Sequence, residues 1–339
     1  MAILVTGGTG YIGSHTVVEL LKAGYDVAIL DNYSNSKPIV LDRIEEITGK
    51  RPRFYYADIT DEKAMREVFE KEDITDIIHF AGLKSVAESV REPEKYQFNN
   101  VGGTQVILRL MKEYKVNNFV FSSSATVYGV PDHVPLKEDD KVGGCTNPYG
   151  QTKLDIEYLL KDFAKEVPTA NIAILRYFNP IGAHPSGRIG EDPTGIPNNL
   201  MPYITQVAVG KRPFLNIYGS DYHTVDGTGV RDYIHVVDLA IGHLCALKRL
   251  EGKPGLVIYN LGTGKGTSVL ELVHAFEKAN NMMIDYKICP RRPGDIDENY
   301  ADASKAKREM NWETKLTIVD ACKDSWNWQK NNPNGYGEE

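Results

Sequence analysis

Ile3-Leu4-Val5-Thr6-Gly7-Gly8-Thr9-Gly10-Tyr11-Ile12-Gly13 is the stretch on which the fold turns. An apolar run of strand type passes into a glycine-rich turn, and Val17, Leu20 and Leu21 then recur at helical spacing. In a strand, turn and helix of that order, the glycines let backbone amides approach a pyrophosphate at the helix N-terminus. The spacing Gly7, Gly10, Gly13 is wider than the tighter G-x-G-x-x-G form. Eighteen residues past Gly13, Asp31 closes a second apolar run, Val27-Ala28-Ile29-Leu30. A carboxylate there accepts from both hydroxyls of a ribose and repels a 2′-phosphate. The first arginine downstream is Arg43, so the cofactor expected is NAD rather than NADP.

Working outward, Phe54-Tyr55-Tyr56, Asp76-Ile77-Ile78-His79-Phe80, Asn118-Phe119-Val120-Phe121 and Ile172-Ala173-Ile174-Leu175 alternate with helical patterns, the signature of a wound parallel sheet. Ligands of such sheets bind outside the carboxyl ends of the strands. That rule singles out Asp58, after the third strand, and Phe80-Ala81-Gly82, after the fourth, as adenine and ribose contacts. Beyond about Tyr177, glycine and proline crowd residues 180–230, which reads as a substrate-binding part built from loops. A strand at Leu256-Val257-Ile258-Tyr259, a helix from Val269 to Lys278 and a helical tail from Ile318 follow. The expected architecture is α/β: a Rossmann-type, doubly wound parallel sheet over residues 1–177 with a smaller, mixed α/β substrate-binding domain over 178–339. Residues of roughly 230–260 are expected to return to the main sheet.

Tyr149-Gly-Gln-Thr-Lys153 follows Asn147-Pro148, a helix-start signal. With Asn147 as N-cap and Pro148 at the first helical position, phenol and ammonium share one face of the opening turns. A free tyrosine is a poor base at neutral pH, but a cation one turn away and the positive helix end both favour phenolate. Lowering its pKa by about 3 units takes roughly 4 kcal/mol, which Lys153 and a cationic nicotinamide ring together supply. The pair therefore reads as a proton-transfer device.

Composition closes off other classes. With 339 residues and 42% apolar content the chain can bury a large core. A net charge of -7, with no basic run interleaved with aromatics, argues against a nucleic-acid partner. No apolar stretch reaches membrane-spanning length, and the first strand begins at Ala2 with no leader before it, so cytoplasmic residence without membrane contact is expected. Cys145, Cys245, Cys289 and Cys322 are scattered and read as free thiols, and no metal site is expected.

Gly7-x-x-Gly10-x-x-Gly13, Asp31, Asp58, Phe80-Ala81-Gly82, Ser122-Ser123-Ser124 and Tyr149-x-x-x-Lys153 stand in an order and near a spacing that resemble the extended short-chain dehydrogenase/reductase family. The resemblance implies a catalytic triad of Ser124, Tyr149 and Lys153. It also implies a nicotinamide dinucleotide, with Lys84 and Asn99 as further contacts. Tyr11, Ile12, Asn32, Asn35, Ser36, Ile59, Tyr177 and Phe178 complete the expected cofactor set. Across essentially the whole chain, segments such as Arg176 to Pro185, Gly229 to Ala240, Gly195 to Pro202 and Arg291-Arg292-Pro293-Gly294-Asp295 resemble the branch of that family that epimerises UDP-hexoses.

That branch implies reversible interconversion of UDP-glucose and UDP-galactose: transient oxidation at sugar C4 by tightly held NAD, rotation of the ketose, and return of the hydride. A diphosphate needs cations, and Arg231 and Arg292 suit bidentate phosphate contacts. Asn179, Asn199 and Asn216 can bond sugar, phosphate or uracil, Tyr218 offers an aromatic wall, and Asp295 can accept from the uridine ribose. Lys84, Ser124, Tyr149, Tyr177, Asn198 and Leu200 join the expected substrate contacts. Asn299 stands where members selective for glucose and galactose carry a tyrosine, so some turnover of N-acetylated UDP-sugars is also expected. Dehydratases of the family typically carry Thr-Asp-Glu-Val-Tyr-Gly where this chain has Ser124-Ala125-Thr126-Val127-Tyr128-Gly129, and the missing acid pair counts against elimination. Retention of Ser124, Tyr149 and Lys153 counts against a catalytically silent NAD-binding regulator. The family further implies a homodimer paired through helices of roughly Pro93 to Tyr114 and Tyr149 to Lys165.

Overall fold

A computed structural model describes residues 1–292 and 294–337. Pro293, quoted above within the Arg291–Asp295 run, and Glu338 and Glu339 lie outside the described residues. Seven parallel strands form the central sheet: β1 (Ala2–Thr6), β2 (Val27–Asp31), β3 (Arg53–Tyr56), β4 (Ile74–His79), β5 (Asn118–Ser124), β6 (Asn171–Tyr177) and β11 (Leu256–Leu261). Their order is β11-β6-β5-β4-β1-β2-β3, so the winding reverses at β1 and a crevice opens between the carboxyl ends of β1 and β4. The fourth strand stops one residue short of the sequence reading. Phe80 and Ala81 turn away there, both donating to Thr6 O at 2.9 and 3.1 Å.

The inner strands are largely apolar because both of their faces are covered, whereas the edge strand β3 exposes Arg53 and Tyr56. Ile3, Val5, Ile29, Ile78, Val120 and Leu175 point into one core beneath helices Tyr11–Lys22, Ile39–Thr48 and Val236–Glu251. Leu4, Leu30, Ile77, Phe119 and Ile174 point into the other, beneath helices Glu62–Lys71, Gly103–Tyr114 and Pro148–Glu166. Burying some twenty such side chains at roughly 1.5–3 kcal/mol each is what holds the layers together.

The rest of the second half surrounds the crevice with short pairings. Strand β7 (Asn179–Ile181) lies beside β10 (Tyr233–His235). Strand β9 (Val230–Arg231) sits between β12 (Thr267–Ser268) and β14 (Glu298–Asn299), and β8 (Leu215–Tyr218) beside β13 (Tyr286–Cys289). A third core joins these to helices Leu200–Ala208, Val269–Asn280 and Ile318–Asn331. Among the described residues, no helix is long and apolar enough to cross a membrane. All four cysteines are unpaired.

Candidate active site

The crevice is a cleft of about 1000 Å³ counted to its open mouth. Its floor is the glycine turn. Gly7 has φ +70°, and a Cβ there would stand 2.6 Å from Ala81 N; one at Gly13 would stand 2.2 Å from Gly7 O. Only bare backbone fits, which is the cradle a pyrophosphate requires. Gly10 caps the first helix without any side-chain bond and no acidic residue follows in the first turn, so the amide end of the helix is left to an anion. Asp31, 8% exposed, is held in place by Thr9 N at 3.1 Å, Tyr33 N at 2.9 Å and the Ser36 hydroxyl at 3.1 Å. The nearest arginine of sequence, Arg43, is paired with Glu46 at 3.3 Å. These residues fit a dinucleotide with a free 2′-hydroxyl.

Of the expected cofactor residues, Gly7, Gly10, Tyr11, Ile12, Gly13, Asp31, Asn32, Asn35, Ser36, Ile59, Phe80, Ala81, Gly82, Lys84, Asn99, Tyr149, Lys153 and Tyr177 all line the cleft. Asp58 is set back behind Asn32, accepting from its amide at 2.7 Å while also accepting from Thr60 N at 2.8 Å. Phe178 is buried in a small apolar cluster with Tyr128 and Leu154 rather than in the cleft wall.

Helix Pro148–Glu166 begins as the sequence indicates, with Asn147 Oδ1 accepting from Gly150 N at 2.8 Å and proline in the first turn. Tyr149 and Lys153 face the cleft one turn apart, and Lys153 Nζ lies 5.9 Å from the Tyr149 ring centre. The lysine donates instead to Ser122 O at 2.7 Å. Burial raises the Tyr149 phenol to about 12, and a hydrogen bond with Ser124 pulls the other way. Burial also lowers Lys153 to about 8. Burial thus opposes the phenolate that the cation and the helix end favour, since low dielectric favours the neutral form of both groups. Ser124 ends β5 and opens the turn Ala125–Tyr128, accepting from Thr126 N at 3.3 Å.

A second cluster lies among the short strands. Arg231 donates to Val230 O at 2.8 Å and Ile296 O at 3.0 Å. Arg292 forks onto Asp295 at 2.8 and 3.2 Å with its guanidinium 5.2 Å from the Tyr218 ring centre. Asn216 and Tyr218 form the exposed side of β8. Asn179 is tied by its N–H to Asp232 O at 2.9 Å, and Asp232 N donates to Asn299 O at 3.1 Å. Asn299 Oδ1 is buried without a hydrogen-bond partner among the described residues. Near the cleft, Asn198 Oδ1 accepts from the Ser85 hydroxyl at 3.3 Å, and Asn199 and Leu200 begin helix Leu200–Ala208.

Three supports escaped the sequence. Tyr177 donates its hydroxyl to His243 Nε2, an assignment fixed by His243 Nδ1 donating to Leu239 O at 2.9 Å. Asn100, in the π-helical segment Gln97–Gly102, brackets Leu83 through its N–H (2.8 Å) and carbonyl (3.0 Å), and reaches Thr152 Oγ1 at 3.1 Å. Arg176 and Glu157, 1% and 0% exposed, form a forked pair at 2.9 and 2.7 Å; Glu157 also accepts from the Ser123 hydroxyl at 2.7 Å. The last pair braces residues immediately beside Ser124 and Tyr177. Its only sequence signal is Glu157 one turn after Lys153.

Glycine cradle, ribose carboxylate and a tyrosine–lysine pair on the cleft wall of this sheet define a dinucleotide-dependent enzyme of the short-chain dehydrogenase/reductase class. The model of the GDP-mannose 4,6 dehydratase family matches residues 4–325. UDP-glucose 4-epimerase of Pasteurella multocida is 61% identical over 336 residues, 99% of either chain, and that of Haemophilus influenzae 59% identical over the same length and shares. The crystal structure of UDP-glucose 4-epimerase from Bifidobacterium longum in complex with NAD+ and UDP superposes with a TM-score of 0.96 at 54% identity, covering 99% of this chain and 100% of that one. The chain belongs to the UDP-glucose 4-epimerase family, within the extended short-chain dehydrogenases/reductases.

Proposed function

We propose that Tyr149, Ser124 and Lys153 carry a 4-epimerisation in which a UDP-hexose is oxidised and reduced at one carbon. The chain interconverts UDP-glucose and UDP-galactose, and NAD is its cofactor. Gly7, Gly10 and Gly13 hold the pyrophosphate, Asp31 the adenosine ribose, and Lys153 the nicotinamide ribose. Bound NAD supplies the acceptor for the C4 hydride and, later, its donor. Tyr149 removes the proton from the sugar 4-hydroxyl and returns it after the ketose has turned about its bond to the diphosphate. Ser124 orients the reacting oxygen, and the Lys153 cation lowers the cost of the phenolate. The UDP part stays anchored on Asn179, Asn199, Leu200, Asn216, Tyr218, Arg231, Arg292 and Asp295, so the sugar is what moves.

One observation carries this reading: the tyrosine–lysine pair stands at the wall of the same cleft whose floor admits no Cβ at Gly7 or Gly13. Net oxidation is zero, so the enzyme turns over without added acceptor. The test is UDP-galactose conversion by the purified protein with nothing else supplied, together with absorbance of the cofactor released on denaturation. No conversion, or released NADP, would overturn the assignment.

Asn299 supports activity on N-acetylated UDP-sugars, because its side chain is smaller than tyrosine and its buried Oδ1 awaits a donor. The main pair remains glucose and galactose; equal kcat/KM for both pairs would defeat that order. A homodimer is supported by Val90, Phe98 and Tyr158, which are 62%, 69% and 47% exposed on neighbouring helical segments of one face. Phe98→Glu with Tyr158→Glu is expected to give a monomer in size-exclusion chromatography with light scattering. We place the enzyme in the cytoplasm.

A further inference from the structure

Beside the cleft lies a carboxylate that the chemistry above leaves unused. Glu191 belongs to the segment 182–199, between β7 and helix Leu200–Ala208, and its side chain is 10% exposed. One oxygen, Oε1, accepts from Asn199 Nδ2 at 2.6 Å and faces Lys84 Nζ at 3.5 Å. Lys84 lines the cleft in the loop after β4, and Asn199 is the N-cap of helix Leu200–Ala208. A single oxygen thus joins the cofactor side of the site to the substrate side.

Asparagine at an N-cap ordinarily turns its side-chain oxygen back onto the second or third amide of the helix. Asn199 makes no such bond. A carboxylate can only accept, so Glu191 must face the amide nitrogen of Asn199, never its oxygen. That fixes which way the amide is turned, and the third helical position, Pro202, has no N–H for it to cap. Left over are the second N–H of Asn199 and the amides of Leu200 and Met201 at the positive end of the helix, a set of donors suited to an anion.

We propose that Glu191 is a positioning residue for the diphosphate of the nucleotide-sugar: it holds Asn199 as a donor at the uncapped end of the helix. This rests on the reading of the substrate as a UDP-sugar. A purely structural task is the weaker account, since an isolated buried ion pair adds little net stability. The backbone here is anchored independently of the carboxylate, by Trp328 Nε1 donating to Glu191 O at 3.3 Å and Tyr336 N donating to Asp192 Oδ2 at 3.0 Å.

The experiment uses the NAD-loaded enzyme carrying Glu191→Ala, Glu191→Gln, Asn199→Ala or both alanines, with UDP binding by calorimetry and UDP-galactose kinetics. Glu191→Ala is expected to raise the Kd for UDP and KM about tenfold, the size of one charge-assisted hydrogen bond, with kcat within about twofold. Glu191→Gln keeps an acceptor but lets the Asn199 amide turn over, so roughly a threefold loss is expected. Because Glu191 works through Asn199, the double variant should bind UDP no more weakly than Asn199→Ala alone. Unchanged UDP affinity in Glu191→Ala overturns the proposal. So does a loss that adds in full to that of Asn199→Ala, or one confined to kcat and thermal stability. A wild type that binds UDP with this dependence yet fails to convert UDP-galactose would sink the epimerase reading and leave the positioning role standing.

Discussion

Lys153→Met removes one charge and little volume from the cleft wall. The ammonium stands 5.9 Å from the Tyr149 ring centre, and at an effective dielectric near ~20 a unit charge at about that distance is worth ~3 kcal/mol, or roughly 2 pKa units. The sign follows from which form the cation favours. Burial raises the phenol to about 12 and the cation works against that rise, so without it less phenolate forms at any given pH. In the variant, the acid limb of kcat should therefore move up by about 2 units, with kcat near neutrality down ~100-fold and partly recovered as the pH rises. Burial lowers Lys153 itself to about 8, so the lysine is mainly charged near neutrality and a phenolate beside it would extend that to higher pH. The substitution also removes the 2.7 Å bond from Nζ to Ser122 O, and should cost about 1–3 kcal/mol of stability. The assay is UDP-galactose turnover across roughly pH 6 to 10, with the retained NAD and the thermal midpoint measured on the same samples. An acid limb that stays put while kcat drops equally at every pH would refute the argument. Lys153 would then only hold the cofactor.

Gly13→Ala brings a methyl within 2.2 Å of Gly7 O and 2.9 Å of Gly8 Cα, so the turn must open; the purified variant should carry little NAD, and a full complement on denaturation would contradict the cradle geometry. Glu157→Ala strands the guanidinium of Arg176 in a site where the pair is 0–1% exposed, for an expected loss of about 3–5 kcal/mol in urea unfolding; a loss below ~1 kcal/mol would show that the pair braces nothing. Burial lowers His15 and His79 to about 3 and His184 and His243 to about 4. Their folded values lie below the unfolded one, so the stability they contribute is full above about pH 6.5 and is lost as pH falls toward those values. By about pH 5.5 the four together should cost on the order of 5 kcal/mol, and an unfolding midpoint that is flat over that interval would be incompatible with neutral buried rings.

The sheet was legible because its inner strands are covered on both faces and so read as apolar runs, from Ile3-Leu4-Val5 to Ile172-Ala173-Ile174-Leu175. The glycine turn was legible for a similar reason: close backbone approach tolerates one residue type, and the chemistry shows in the letters themselves. His243, Asn100, Glu191 and the Arg176–Glu157 pair were not. Each gains its meaning from a partner distant in sequence, such as Tyr177 for His243 or Lys84 for Glu191. A single asparagine or histidine carries no mark of the neighbour that the fold will bring to it.

The tyrosine–lysine pair shows the limit most sharply. Spacing in sequence encodes proximity, and Tyr149 and Lys153 do share a helix face at the cleft. It does not encode desolvation, which raises the phenol to about 12 and gives the lysine's shortest bond to Ser122 O. The free energy needed to ionise Tyr149 at neutral pH therefore grows from the roughly 4 kcal/mol suggested by sequence to ~7 kcal/mol. Lys153 accounts for about 3 kcal/mol of it; the phenol at about 12 already has the hydrogen bond with Ser124. The rest falls to charge and hydrogen bonds that arrive with cofactor and substrate. Under the proposed mechanism, Tyr149 then becomes an effective proton acceptor through the same cofactor and substrate groups that fill the cleft.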